Sequence, residues 1–267
     1  MPAPNKDRTI TISTVLEESD LVPLFDGAGW AGTRVWNAAI WAIKFLVDEL
    51  ITDNDNLRDT ITLPNGEKKT TLNLCELGCG LGVPGMVWHL FGGNVVVTEQ
   101  ESIMSQLKVN VKKNFPKTAV NIDDNIIVAN DDGVDCSGVT NETIGVETNG
   151  DVESFGTIKT CPLNWSRKGL CSLMHKTGHS KGFDIVLNCD CVYEPLYGKS
   201  WKLLVDVIDE CLKINPNCLV ITSVERRSAD GVDDFLDELL NCDHVHSVEK
   251  ERVNEILNLE LYIAKGR

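Results

Sequence analysis

Cys75-Glu76-Leu77-Gly78-Cys79-Gly80-Leu81-Gly82-Val83-Pro84-Gly85 is the stretch that decides the fold. Strand-forming residues at 71–77 lead into it, and an apolar run opening on Pro84, a residue suited to a first helical turn, leads out. Glycines at such a strand-to-helix turn let the backbone bend sharply and approach a ligand at the carboxyl edge of a parallel sheet. Gly80, Gly82 and Gly85 spell G-x-G-x-x-G. Glu99 follows about twenty residues after the loop opens, where a dinucleotide enzyme places its ribose acid. Spacing alone does not decide the cofactor.

Downstream of this loop, strand patterns at 94–99, 157–163, 183–189 and 218–224 are accompanied by helical patterns at 84–91, 102–115, 201–214 and 232–240. Segments 246–253 and 259–265 read as an antiparallel pair. Alternation of this kind predicts an α/β fold with a doubly wound, mostly parallel, seven-stranded sheet. Upstream, Trp36, Ala39, Ile40, Ile43, Val47 and Leu50 recur at helical spacing, so an amphipathic helix is expected over 34–50. Thr9-Ile10-Thr11-Ile12 alternates like a short strand, and 53–69 is a polar connection with a hairpin turn at Asn65-Gly66. Residues 1–32 are expected to form an N-terminal extension and 33–267 a single domain.

One stretch breaks the rhythm. Residues 116–156 hold nine carboxylates and one lysine, and so carry −8 of the net −15. Few apolar residues and much Asn, Thr and Gly predict a solvated, mobile insertion. An acidic arm that attracts a basic substrate is the functional alternative.

The 267 residues, 42% apolar and 24% charged, match globular averages and exclude global disorder. Forty acids against 25 Lys plus Arg are the wrong sign for gripping a phosphate backbone, so no nucleic-acid partner is expected, whereas a basic protein surface would be attracted. No apolar leader occupies 1–20 and no window nears 18 apolar residues, so the ten cysteines are read as free thiols of a cytoplasmic or nuclear protein that does not enter membranes. No CxxC pair is present, and His175, His179, His244 and His246 lack companion ligands, so no metal is expected. The chain is expected to be monomeric.

The frame also reads E-x-G-x-G-x-G from Glu76, which resembles motif I of class I methyltransferases. Gly32-Thr33-Arg34-Val35-Trp36-Asn37-Ala38-Ala39 is similar to the G-x-x-V-W-x-A-A element of one subgroup, Leu163-Asn164-Trp165 to its L-x-W, and Asp190-Cys191-Val192-Tyr193 to its [D/E]-x-x-Y. Four elements in order, from Gly32 to Arg227, resemble methyltransferase family 16, the seven-β-strand protein-lysine methyltransferases. The insertion is longer than that family usually carries, and Arg167-Lys168-Gly169 departs from its usual glycine after Trp165. The resemblance implies S-adenosylmethionine as cofactor, a protein lysine as methyl acceptor, and a cofactor site of Trp36, Glu76, Gly78, Cys79, Gly80, Glu99, Asn164, Trp165 and Asp190. Glu99 would accept both ribose hydroxyls, Asn164 would meet the adenine edge, and Trp36 and Trp165 would wall the adenosyl group.

Asp190 follows a strand at the ligand-binding edge, where its carboxylate could draw in and orient an ammonium; Tyr193, three residues on, could offer its ring face. Both are the expected catalytic residues. The alternative makes Asp190 a helix cap and Tyr193 a packing residue. Glu225-Arg226-Arg227 ends another strand at that edge and either meets substrate or forms surface ion pairs. Rival functions are a methyltransferase of small molecules or other nucleophiles, a silent cofactor-binding module, and a nicotinamide oxidoreductase.

Overall fold

The computed structural model describes residues 10–13, 32, 34–50, 61–62, 68–69, 72–122 and 156–267. Helix α1 (Asn37–Phe45) continues into a π-helical turn (Leu46–Leu50). Strands β1 (Ile61–Thr62) and β2 (Lys68–Lys69) pair antiparallel on either side of 63–67, the interval holding Asn65-Gly66. The main series is β3 (Asn73–Leu77), α2 (Val83–Leu90), β4 (Asn94–Glu99), α3 (Met104–Asn114), β5 (Ala119–Asn121), β6 (Ile158–Pro162), α4 (Arg167–Thr177), β7 (Ile185–Cys189), the one-turn α5 (Glu194–Tyr197), α6 (Trp201–Ile214), β8 (Leu219–Glu225), α7 (Val232–Leu240), β9 (Val245–Asn254) and β10 (Leu259–Gly266).

The sheet order is β5-β6-β4-β3-β7-β8-β10-β9. All neighbours run parallel except β10, which is antiparallel to both β8 and β9. Central strands β3, β4 and β7 are buried on both faces, which is why they read as continuous apolar runs. Alternate residues feed two cores. Leu74, Val95, Val97, Ile185, Leu187 and Ile221 pack with α1, α2 and α3, while Cys75, Leu77, Val96, Val186 and Val220 pack with α4, α6 and α7. Helices on both faces make the sheet doubly wound.

Among the described residues the sheet has eight strands where seven were expected. The addition, β5, pairs with β6 through Ala119↔Ile158 and Asn121↔Thr160, and it comes from the opening of the segment assigned to the insertion. Three residues at a half-exposed edge are too few to set up an alternation. The remainder assigned to the insertion, 123–155, lies outside the described residues. Helix α4 also has no counterpart in the sequence reading, although its signals are present. Ser166 caps it by accepting a hydrogen bond from Gly169 N at 3.0 Å, Gly178 ends it at φ +78°, and Leu170, Leu173, Met174 and Thr177 form its buried stripe.

Residues 10–13 form no strand. Asn114 exchanges 2.8 Å bonds with the Thr11 backbone in both directions, and Asn110 exchanges bonds of 2.8 and 3.2 Å with Ser13. Two helical amides thus replace the strand partner that alternation implied, with Gln106 adding a third bond to Ser13 O. Among the described residues eight cysteines are free thiols. Cys171 is disulfide-bonded, against the expectation of free thiols throughout; half-buried on α4, its sulfur is not sealed in the core. No helix among the described residues is long and apolar enough to cross a membrane.

Candidate active site

The loop after β3 is held by its own backbone. Gly78, Gly80 and Gly82 have φ of +61°, +54° and +72°, a left-handed conformation that costs other residues about 1–2 kcal/mol each. Cys79 N donates to Thr98 O and Gly82 N to Cys79 O, at 2.9 and 2.8 Å. One side of the loop is packed shut: a Cβ on Gly78 would lie 2.8 Å from Cys191 Sγ, and one on Gly80 3.0 Å from Gly32 O. The G-x-x-V-W element therefore reaches the glycine loop through its first residue.

Two buried carboxylates brace the loop. Glu76 Oε2 accepts from Gly85 N and Glu99 Oε2 from Gly80 N, both at 2.8 Å, while Glu99 Oε1 accepts from Gln100 N. Burial pushes the Glu76 carboxyl up to about 8, opposed by the Gly85 bond and reinforced by the charge of Glu99. Burial likewise raises Glu99, with the Gln100 and Gly80 bonds pulling the other way. Both acids are short of full compensation for lost solvent, as suits a site that receives a polar or cationic ligand.

Above the loop lies a cavity of about 360 Å³. Its lining includes Trp36, Glu76, Gly78, Cys79, Gly80, Glu99, Asn164, Trp165 and Asp190, so the nine residues named for the cofactor converge on one space. Val35, Leu81, Ile103 and Leu163 supply apolar wall, and Gln100, Cys191 and Tyr197 also face it. Burial raises the Tyr197 phenol, keeping it a neutral donor. Tyr193 is outside this lining.

Asp190 sits at the mouth with φ +57°, a strained position for a residue with a side chain. Its amide donates to Ser223 O at 2.8 Å, and its carboxylate, 4% exposed, receives Glu225 N at 3.1 Å and both terminal nitrogens of Arg227 at 2.7 and 3.1 Å. Arg227 also contacts Glu225 at 3.3 Å, and its guanidinium lies 5.4 Å from the Trp36 ring centre and 5.1 Å from that of Tyr193. Neighbouring Arg226 turns away to Asp230, Asp233 and Glu260. Of the two arginines weighed in the sequence, Arg227 joins the site and Arg226 ties the strand ends together.

A family model described as lysine methyltransferase matches residues 24–129 and 126–241. The chain belongs to this lysine methyltransferase family. A curated relative, secreted RxLR effector protein 48 of Plasmopara viticola, is 33% identical over 167 residues, which span 61% of this chain and 70% of that protein. Among solved structures, a TehB-like S-adenosylmethionine-dependent methyltransferase from Corynebacterium glutamicum is 10% identical, with 93% and 97% of the two chains covered and a TM-score of 0.45. Magnesium protoporphyrin IX methyltransferase from Synechocystis is 12% identical, with 95% and 99% covered and a TM-score of 0.46.

The cofactor of this lysine methyltransferase family chain is S-adenosylmethionine, and the cavity fits it. The left-handed glycines present bare backbone to the ligand. Glu99 ends β4 at the cavity with one donor on each oxygen, leaving a second lone pair on each for a diol. Sequence reasoning missed Tyr197, Gln100 and Ile103 as lining residues. A tyrosine one turn after Tyr193 and residues directly following Glu99 were the available signals.

Proposed function

We propose that this lysine methyltransferase family chain transfers the methyl group of S-adenosylmethionine to the side-chain amine of a lysine in a protein substrate. The observation that carries the reading is the mouth of the cavity, where a cationic group already rests between the rings of Trp36 and Tyr193 against Asp190. Ring faces and a carboxylate are the surroundings that an alkylammonium favours.

When bound, the cofactor supplies an electrophilic methyl on a sulfonium. In our reading Gly78, Cys79 and Gly80 cradle it, Glu99 holds the ribose hydroxyls, Asn164 meets the adenine edge, and Trp36 and Trp165 form walls. Asp190 and Glu225 face Arg227, and exposed Arg34 lies over Trp36, so the mouth is balanced in charge overall and the Asp190 carboxylate is the local group that receives the ammonium. The apolar wall and exclusion of water then favour the neutral amine; bringing a lysine from about 10.4 to about 7 corresponds to roughly 4–5 kcal/mol. Asp190 orients the amine before it loses its proton to water, and Tyr193 offers its ring face. Net charge opposes nucleic acid as substrate. Eight of the nine described cysteines are free thiols, Cys171 being the exception, and on that majority we take the protein to act in the cytoplasm or nucleus, with a monomer as the working unit.

Incubation with tritiated S-adenosylmethionine and a cell extract tests the reading. Label is expected on protein and, after proteolysis and mass spectrometry, on lysine nitrogen. Label on another residue type, or only on small molecules, overturns it.

A further inference from the structure

We propose that the tip of the β9–β10 hairpin is a docking knob for the substrate protein, receiving a segment that combines apolar with basic side chains near its target lysine. The inference rests on the lysine reading above and adds the chemistry of the partner.

The register of the sheet places this tip at the working edge. Leu259, the first residue of β10, pairs with Glu225, the last of β8, and Asn258 O accepts from Arg226 N at 2.7 Å. The next residue is Arg227, which grips Asp190. The tip therefore stands beside the cavity mouth and is joined to it by main chain.

Its composition is unusual for a turn. Ile256 is 92% exposed, with Leu257 and Val253 about half exposed beside it. Hairpin tips normally carry Gly, Asn, Asp or Ser, and large apolar groups held in water do nothing for folding. The tip is nonetheless built to hold them. Asn254 Oδ1 accepts from Leu257 N at 3.2 Å, and Asn258 takes the left-handed conformation at φ +52°. Apolar side chains on a fixed turn give up little entropy when a partner covers them.

Charge selects the partner. Around the tip Arg226 pairs with Asp230, Asp233 and Glu260, Lys250 with Glu260, and Arg252 with Asp48 and Glu49, while Glu255 adds a further carboxylate, so the rim is net negative. Asp230 and Glu260 are already bonded within the chain, so a segment that covers Ile256 and Leu257 meets the exposed Glu255 and Asp233, which favour basic side chains, and a lysine on it would lie next to the mouth. An acidic partner, or a second copy of this −15 chain, would be repelled.

The test uses the full chain and a protein purified from extract by its lysine label, titrated as substrate in initial-rate assays. The Ile256→Ser/Leu257→Ser variant should raise KM about tenfold, the scale of one bulky apolar contact, with kcat, cofactor affinity and Tm unchanged. Glu255→Lys should raise KM about threefold at low salt, and the difference should vanish near 0.5 M salt. Unchanged KM in the double variant overturns the docking role while leaving the lysine reading intact. A wild-type dimer that the double variant loses, seen by sedimentation, also overturns it by making the tip a contact between copies. Absence of any lysine label from the wild type overturns both readings, a result distinct from the other two.

Discussion

Around the glycine loop, position is set by main chain and close packing, whereas at the mouth it is set by charge. Gly78 and Gly80 leave no room for a Cβ on one side, and Glu76 and Glu99 are fixed by loop amides within a short span of sequence. Asp190, Glu225, Arg227, Trp36 and Tyr193 meet from well-separated parts of the chain, through ion pairs and ring contacts. The first region tolerates almost no change of shape; the second is held largely by side chains, whose contacts can be retuned one residue at a time. A cofactor common to many acceptors suits the rigid half, and acceptor choice suits the adjustable one.

The comparison breaks most visibly if the rigid half carries no electrostatic strain. Glu76 has a folded-state value near 8 against about 4.5 in the unfolded chain, so from about pH 4.5 to 8 the folded state binds the extra proton. Stability of the cofactor-free protein should therefore fall as pH rises through that window, by roughly 5 kcal/mol in all. Glu76→Gln, which cannot ionise, should lose this slope and be more stable than wild type at pH 8 in denaturant titrations. A parallel slope in the variant would remove Glu76 as its source.

Next in size is Asp190→Ala, expected to lower turnover at least about 10²-fold, roughly 2.7 kcal/mol, with cofactor affinity near normal in calorimetry. Asn should rescue little, because an amide does not balance Arg227. Should cofactor affinity and thermal stability fall together with turnover, Asp190 is a strut between the ends of β7 and β8 rather than a capture group. Glu99→Ala should weaken cofactor binding by about 1.5–3 kcal/mol, the worth of charge-assisted hydrogen bonds, while sparing acceptor KM. An equal loss in both would join the two regions that the comparison separates. Smallest of all, replacing 123–155 with a short Gly/Ser linker, which spares β5, should change cofactor affinity by less than about 0.5 kcal/mol.

Legibility followed the same division. The continuous apolar strands and the glycine turn were readable because burial on both faces and positive φ each demand particular residue types locally. The pairing of Arg227 with Asp190 has no such local signature, since either residue would look the same in a surface ion pair. Tyr193 and Tyr197 show the limit: the motif drew attention to the first, which stacks beside Arg227, whereas the short helix α5 delivers the second into the cavity. Strand β5 and the amide-bound 10–13 segment were misjudged for a related reason. Three residues carry too little pattern, and a pattern alone cannot say whether a strand or a pair of asparagines will satisfy the backbone.

The interior place of β10 bears on the order in which the chain is made. Synthesis delivers β9 before β10, yet β9 touches the sheet only through β10, and β8 presents an open edge until residue 259 and its successors emerge. A nascent chain halted before that point lacks two strands rather than one, and its exposed β8 edge invites pairing with a neighbouring nascent chain. The docking knob and the last closure of the sheet are thus the same event in the life of the polypeptide: the surface that meets a partner comes into being only when the edge that would aggregate is covered.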